Sequence, residues 1–270
     1  RAIYEGVPPP DDAKAVARLE AVIIADGSRP VFFVTNDRLE LAGAGDGPFV
    51  DVVRKHSEAI ESAALSVGRI ETDDKLPPTG MDKWYEGSAF LVAENVAMTN
   101  RHVIERMVNE AGSEEGPFTL KARYWLNFGA QANGHKARRF KIEKVLFAGP
   151  RVIGGSGDIT RLDMALLKIG PPEATGTKRP VPLPLSLEPV TTFQPIAVVG
   201  YPAAPRVHTG VGTPPVDYEL EEVLRRLFDN RFGFKRCASG EVDSAAGFQG
   251  DARRWTIQHD ASTLSGNSGS

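Results

Sequence analysis

Three short settings in this chain carry residues suited to nucleophilic chemistry. Ser268 stands in Gly266-Asn267-Ser268-Gly269, His102 closes Thr99-Asn100-Arg101-His102, and Asp163 opens Asp163-Met164-Ala165-Leu166-Leu167-Lys168. A serine hydroxyl becomes an effective nucleophile when a base lies about 3 Å away and two N–H donors face the developing oxyanion. Gly266 and Gly269 let the backbone turn tightly and a carbonyl approach, and the N–H groups of Gly266 and Ser268 are the natural donors. A histidine just past a strand suits the base. A carboxylate leading into an apolar strand must be hydrogen-bonded, and the Nδ1–H of a histidine meets that need while fixing the tautomer. Each setting alone has an ordinary explanation: a Ser/Gly-rich tail, a loop histidine, an aspartate in a turn contact. His, Asp and Ser together, in that order, form the constellation of a hydrolase. His56, His135, His208 and His259 lack such settings, and Asp158, in a glycine-rich loop with no apolar strand behind it, ranks below Asp163.

The elements that must position these residues are short strands. From about Val67 onward, β-branched or aromatic runs recur between turn residues, at Ser66–Ile70, Ser88–Ala93, Ala97–Thr99, Lys121–Asn127, Arg139–Phe147, Met164–Ile169, Ile196–Val199 and Trp255–His259. That texture predicts a barrel or sandwich. Phe90–Val92 and Val96–Thr99 read as a hairpin turning at Glu94-Asn95, with His102 following its second strand. Gly170–Pro184, rich in Pro, Gly and Thr, reads as a linker between two lobes, and Asp217–Phe228 as a helical insertion. The first 66 residues read as an α/β extension. A helix opens near Asp11-Asp12 and runs through Val16, Leu19 and Ile23, and the strand Val31–Val34 turns at Asn36-Asp37. A second helix spans Phe49–Leu65, with Val52, Val53, His56, Ile60 and Leu65 on one face.

Composition sets the bounds. At 270 residues, 41% hydrophobic and 25% charged, the chain has the make-up of an ordinary soluble protein with more than one folding unit. A formal net charge of −3 gives no reason to expect a nucleic acid or an anionic membrane as partner. No apolar run approaches the roughly 18 residues that span a bilayer. One cysteine, Cys237, excludes an internal disulfide. Together with the absence of a signal-peptide pattern this favours the cytoplasm and leaves export open.

The three motifs resemble those of the trypsin/chymotrypsin-like serine peptidases, and within them the bacterial, disulfide-free branch of glutamyl endopeptidases and HtrA-type proteases. Gly87-Ser88-Ala89-Phe90-Leu91-Val92 is similar to the strand before the family's histidine, and Val199-Gly200-Tyr201-Pro202 to a Gly-Tyr-Pro turn of its second barrel. The resemblance covers about residues 67–270. It implies a mainly β fold of two antiparallel barrel lobes with the site between them, at 67–184 and 185–270, after the α/β extension of 1–66. It further implies a serine endopeptidase acting on polypeptides without cofactor or metal, with His102 as base, Asp163 as its orienting partner and Ser268 as nucleophile. Ser262 would form the floor of the specificity pocket, uncharged and so without preference for basic side chains.

Asn267 replaces an aspartate that, in animal enzymes, accepts a new N-terminal ammonium, so activation without N-terminal insertion is expected. The family's strands after the serine, which complete the second barrel, are not in this chain. The resemblance therefore implies a second lobe that is incomplete here, with a separate C-terminal fragment as one way of completing it. A protease-like module that binds peptides without turnover is the alternative from another class. An esterase of the α/β type would show Gly-x-Ser-x-Gly and the order Ser…Asp…His. The N-terminal extension either packs on the back of a barrel or receives a regulatory partner.

Overall fold

The structure is a computed structural model and describes residues 24, 26–76, 83–110, 113, 116–133, 137–153, 161–203, 218–245, 256–264 and 267–270. The helix expected through Val16, Leu19 and Ile23 lies outside the described residues, as do His135, Asp158, His208, Trp255 and Gly266.

A closed antiparallel barrel occupies the first lobe. Its strands are β3 (Val67–Thr72), β4 (Trp84–Ala93), β5 (Val96–Thr99), β6 (Tyr124–Asn127), β7 (Arg139–Ala148) and β8 (Ala165–Pro172), in the order β3-β4-β5-β8-β7-β6. Period-two patterning places the core. In β8, Ala165, Leu167 and Ile169 are buried while Lys168 is exposed, and they meet Leu91, Leu126, Phe140 and Ile142 inside the barrel. The reading of Gly170 as linker is corrected here. Strand β8 runs on to Pro172 because β7 is long enough to pair Phe140 with it. Past Pro172 the linker is tied to the barrel, with Leu183 N–H donating to the Leu91 carbonyl (2.9 Å).

Among the described residues the second lobe is an open sheet. Strand β10 (Arg236–Ser244) pairs along Arg236–Glu241 with β9 (Pro195–Gly200). Its other edge is shared: β11 (Gln258–His259) takes Val242 and Ser244, and β1 (Val31–Thr35) takes Arg236–Ala238. Strand β2 (Arg38–Leu39) closes a hairpin on β1 through Asn36 and Asp37, both in the left-handed region at φ 49° and 64°, as a tight primed turn requires. Residues of the N-terminal stretch thus supply strands to the second sheet.

The single helix expected over Phe49–Leu65 is two. Helices α1 (Pro48–Lys55) and α2 (Ser57–Ala64) break at His56, whose φ/ψ of −108°/14° is not helical. The break rotates the buried face to Val50, Val53 and Ala64 and leaves His56 exposed, contrary to the face drawn from periodicity. Helix α3 (Arg101–Met107) follows β5, and α4 (Tyr218–Phe228) is the predicted insertion, packing Leu224 and Phe228 against Leu264.

Polar contacts join the two lobes. Tyr201, at the end of β9, is buried with its hydroxyl 3.4 Å from the carbonyls of Val67 and Asn127. Lys235 reaches back to the carbonyls of Ala64 (2.6 Å) and Phe128 (3.0 Å), and Arg69 donates to the Gly233 carbonyl (2.6 Å). Among the described residues no helix is long and apolar enough to cross a membrane.

Candidate active site

Strand register brings the histidine and the aspartate together. Thr99, the last residue of β5, pairs with Ala165, the first of β8. His102 lies just beyond one strand end and Asp163 just before the other, so both emerge at the same rim of the barrel. The Nδ1 of His102 is 2.6 Å from Oδ2 of Asp163. The backbone N–H of His102 donates to Oδ1 at 2.9 Å, and the Asn100 amide donates to Oδ2 (3.1 Å) and to the Asp163 carbonyl (2.9 Å). Burial by itself would raise the Asp163 pKa. The hydrogen bond and charge of His102, with the N–H groups of His102 and Arg101, outweigh it and hold the carboxyl below the usual carboxylate range.

His102 is not on a loop, as its place after β5 suggests, but in the first turn of α3. That helix is seated by Val103, Ile104 and Met107, all fully buried and spaced for one helical face. Asn100 stands at its N-cap position without capping it, and its side-chain NH2 donates to Asp163.

The turn that carries Ser268 is seated on the same barrel. Ser88 of β4 donates its N–H to the Ser268 carbonyl at 2.8 Å. The Ser88 carbonyl accepts the Thr99 hydroxyl (2.7 Å), and the Ser88 hydroxyl accepts the Tyr201 N–H (3.1 Å). Gly269, at φ 86°, presses so closely on the Ser88 carbonyl and the Thr99 hydroxyl that a side chain there would overlap both. Gly200 is equally constrained: a Cβ would lie 2.6 Å from Cβ of Ser270 and 2.7 Å from Oδ1 of Asn267. Ser270 N–H closes the turn on the Asn267 carbonyl at 2.7 Å. The Ser268 turn therefore lies against the strand pair whose end leads into His102.

Residues 87–270 match the family model described as the trypsin-like peptidase domain. The chain belongs to the trypsin-like peptidase family. A probable serine protease of Lysobacter enzymogenes is 31% identical over 271 residues, an alignment covering 96% of this chain and 66% of that protein, so the chain spans just under two thirds of this relative. Similar solved structures include the Rv3671c protease of M. tuberculosis in an inactive form (14% identity, 80% of this chain and 75% of that one, TM-score 0.39). Another is neuropsin, a serine protease of mouse brain (11%, 68% and 61%, TM-score 0.41).

In this trypsin-like chain Ser262 is fully buried, and its hydroxyl donates to the Arg29 carbonyl at 3.2 Å. His259, on β11, is held below the ordinary histidine range by burial, with Asp260 pulling the other way. Gly266, the expected second oxyanion donor, is outside the described residues. No group of three or more His, Cys, Asp or Glu able to hold a metal occurs among the described residues. Sequence reasoning passed over Asn100, Ser88 and Arg29. An asparagine opening an apolar-periodic run was a legible N-cap signal for α3; for Ser88 and Arg29 the contacts are long-range and left no local pattern.

Proposed function

We propose that this chain is the catalytic domain of a serine endopeptidase that cleaves polypeptides through an acyl-enzyme. Ser268 is the nucleophile, His102 the general base and Asp163 the group that orients it. The observation that carries this reading is the 2.6 Å contact between Nδ1 of His102 and Asp163, at the barrel rim where the Ser268 turn is seated.

Nε2 of His102 takes the Ser268 proton as Oγ attacks the peptide carbonyl carbon. The same proton then passes to the leaving amine as the C–N bond breaks, and water repeats the cycle on the ester. Asp163, ionised at neutral pH and with its pKa further depressed by His102, holds Nδ1–H and stabilises the imidazolium. The N–H groups of Ser268 and Gly266 are assigned to the oxyanion, each worth about 3 kcal/mol in the transition state. Ser262 is assigned to the pocket floor. Without charge, it offers no counterion to a basic side chain.

A fluorophosphonate probe should label the wild-type chain at Ser268 near neutral pH and fail to label Ser268→Ala or His102→Ala. A folded wild-type chain that resists the probe overturns the proposal. If it also binds peptides as tightly as Ser268→Ala does, the chain is a binding module.

A further inference from the structure

The segment leading to the nucleophile has little regular structure of its own. Strand β11 is two residues long, and its register on β10 shifts between Val242 and Ser244. After it, Asp260–Leu264 runs toward the Ser268 turn with Ala261, Ser262 and Leu264 buried. Asn267 N–H donates to the Leu264 carbonyl at 3.1 Å, so a displacement of Leu264 reaches the turn directly.

What holds this segment comes from the other end of the chain. Arg29 donates from Nε to Oδ2 of Asp260 at 2.7 Å, and its Nη2 hydrogen-bonds the same oxygen. The Arg29 carbonyl accepts the Ser262 hydroxyl (3.2 Å), so one residue grips the segment at two points. The guanidinium is itself fixed: it lies 3.9 Å from the ring centre of Phe49 on α1 and 3.6 Å from Oε1 of Glu241. Asp260 completes the joint by accepting the Glu241 N–H on Oδ1 at 2.7 Å. Next to it the Pro30 carbonyl accepts the Ser239 N–H at 3.2 Å, anchoring the strap on β10. The pair is mostly withdrawn from water, with 15% and 20% of the two side chains exposed. It is therefore screened less than an ordinary surface ion pair.

We propose that Arg29 is a positioning residue for Ser268: the N-terminal strap, through Arg29, fixes Asp260–Leu264 and with it the turn that carries the nucleophile. The inference rests on the reading of Ser268 as nucleophile. Reaction geometry is sensitive enough for this to matter, since a displacement near 1 Å caused far from the chemistry can cost about 100-fold in rate.

The test compares fluorophosphonate labelling rates and peptide kcat and KM for wild type, Arg29→Ala, Arg29→Lys, Asp260→Asn and the double variant Arg29→Ala/Asp260→Asn. All are measured well below their melting temperatures. Arg29→Ala is expected to lower the labelling rate and kcat by up to about 100-fold with a smaller change in KM. Arg29→Lys should recover part of the loss, and guanidinium ion, at concentrations far below denaturing ones, should partly rescue Arg29→Ala. The double variant should lose no more than the worse single one. A purely structural role would lower the melting temperature and leave the labelling rate of the folded fraction, and its guanidinium response, unchanged. That result overturns the inference, as does a double variant whose losses multiply. If Arg29→Ala does not fold, Arg29→Lys decides: a wild-type labelling rate overturns the inference and an intermediate one supports it. A wild-type chain that is not labelled at all overturns the underlying reading instead.

Discussion

His102 and Asp163 stand at the rim of a sheet in which every strand has a partner on both sides, whereas Ser262 and Ser268 follow a two-residue strand on a sheet that is not closed among the described residues. In the barrel, the Thr99–Ala165 pairing puts base and carboxylate at one rim, and the His102 N–H and Asn100 amide hold them in contact. In the open sheet no register does this for the serine. Its turn is seated by Ser88 and Thr99 of the barrel and by Gly200 of β9. Pairing in the barrel sets the base and the carboxylate, while the serine turn is seated by contacts between residues distant in sequence.

The sharpest way to break the barrel half is Asp163→Asn. The amide keeps the size of the group but lets the imidazole settle in the wrong tautomer, and kcat should fall about 10⁴-fold. Steady-state kinetics check the fall, and thermal melting of the same variant checks that the barrel still folds. A loss of only a few-fold would mean that the 2.6 Å contact does not govern catalysis.

Next in size is Glu71→Ala, at the seam between the two halves. Arg69 and Glu71 are each 1% exposed and 2.6 Å apart, with Asn127 donating to the same carboxylate at 2.9 Å and Arg69 also holding Gly233 of the second lobe. Removing the carboxylate strands a buried guanidinium, and chemical denaturation should show a loss of about 3–5 kcal/mol. Native-state hydrogen exchange gives the companion measurement. Amides of β4, β5 and β8 should open only with global unfolding, and those of β11 and β1 at lower free energy. Equal protection in both would erase the distinction between closed and open sheet.

The same contrast explains what was legible in the sequence. Barrel strands announced themselves because a sheet closed on its own core buries alternate apolar residues, as Ala165, Leu167 and Ile169 show. Strand β10 did not. Its Arg-Cys-Ala-Ser-Gly-Glu-Val-Asp-Ser has little β-propensity, and it is a strand because three others pair with it. Gly240 is required there by a close approach, since a Cβ would lie 2.5 Å from Asp260 Oδ1 and from Ala261 N. The three catalytic candidates were found because their local settings are distinctive. Ser88 and Arg29 were not, because their partners Tyr201 and Asp260 lie 113 and 231 residues away. Helix α3 is a different kind of miss: Val103, Ile104 and Met107 are spaced for it, and the strand ending at Thr99 drew the reading away.

The narrowest expected effect, confined to one pH window, is at Lys235, where the two halves touch. Its ammonium is fully buried and hydrogen-bonded to two carbonyls, Ala64 and Phe128, with no carboxylate in hydrogen-bonding contact. Burial pushes its pKa down to about 7, the nearby Arg138 charge adds to the fall, and Asp37 opposes it. In the unfolded chain the same amine titrates near its ordinary value of about 10.4. Between these two values the unfolded state binds the extra proton, so stability rises with pH, by at most about 1.4 kcal/mol per pH unit from this group. Below the folded pKa the ammonium is carried in both states and the cost of burying it is borne in full. Lys235→Met should therefore remove the rise, so that the difference in unfolding free energy between wild type and variant changes across pH 7 to 10 and is flat below that window. A parallel pair of stability curves would show that the amine keeps its proton in the interior, held by the two carbonyls alone. The lobes would then be joined by a buried charge across the whole of that pH window.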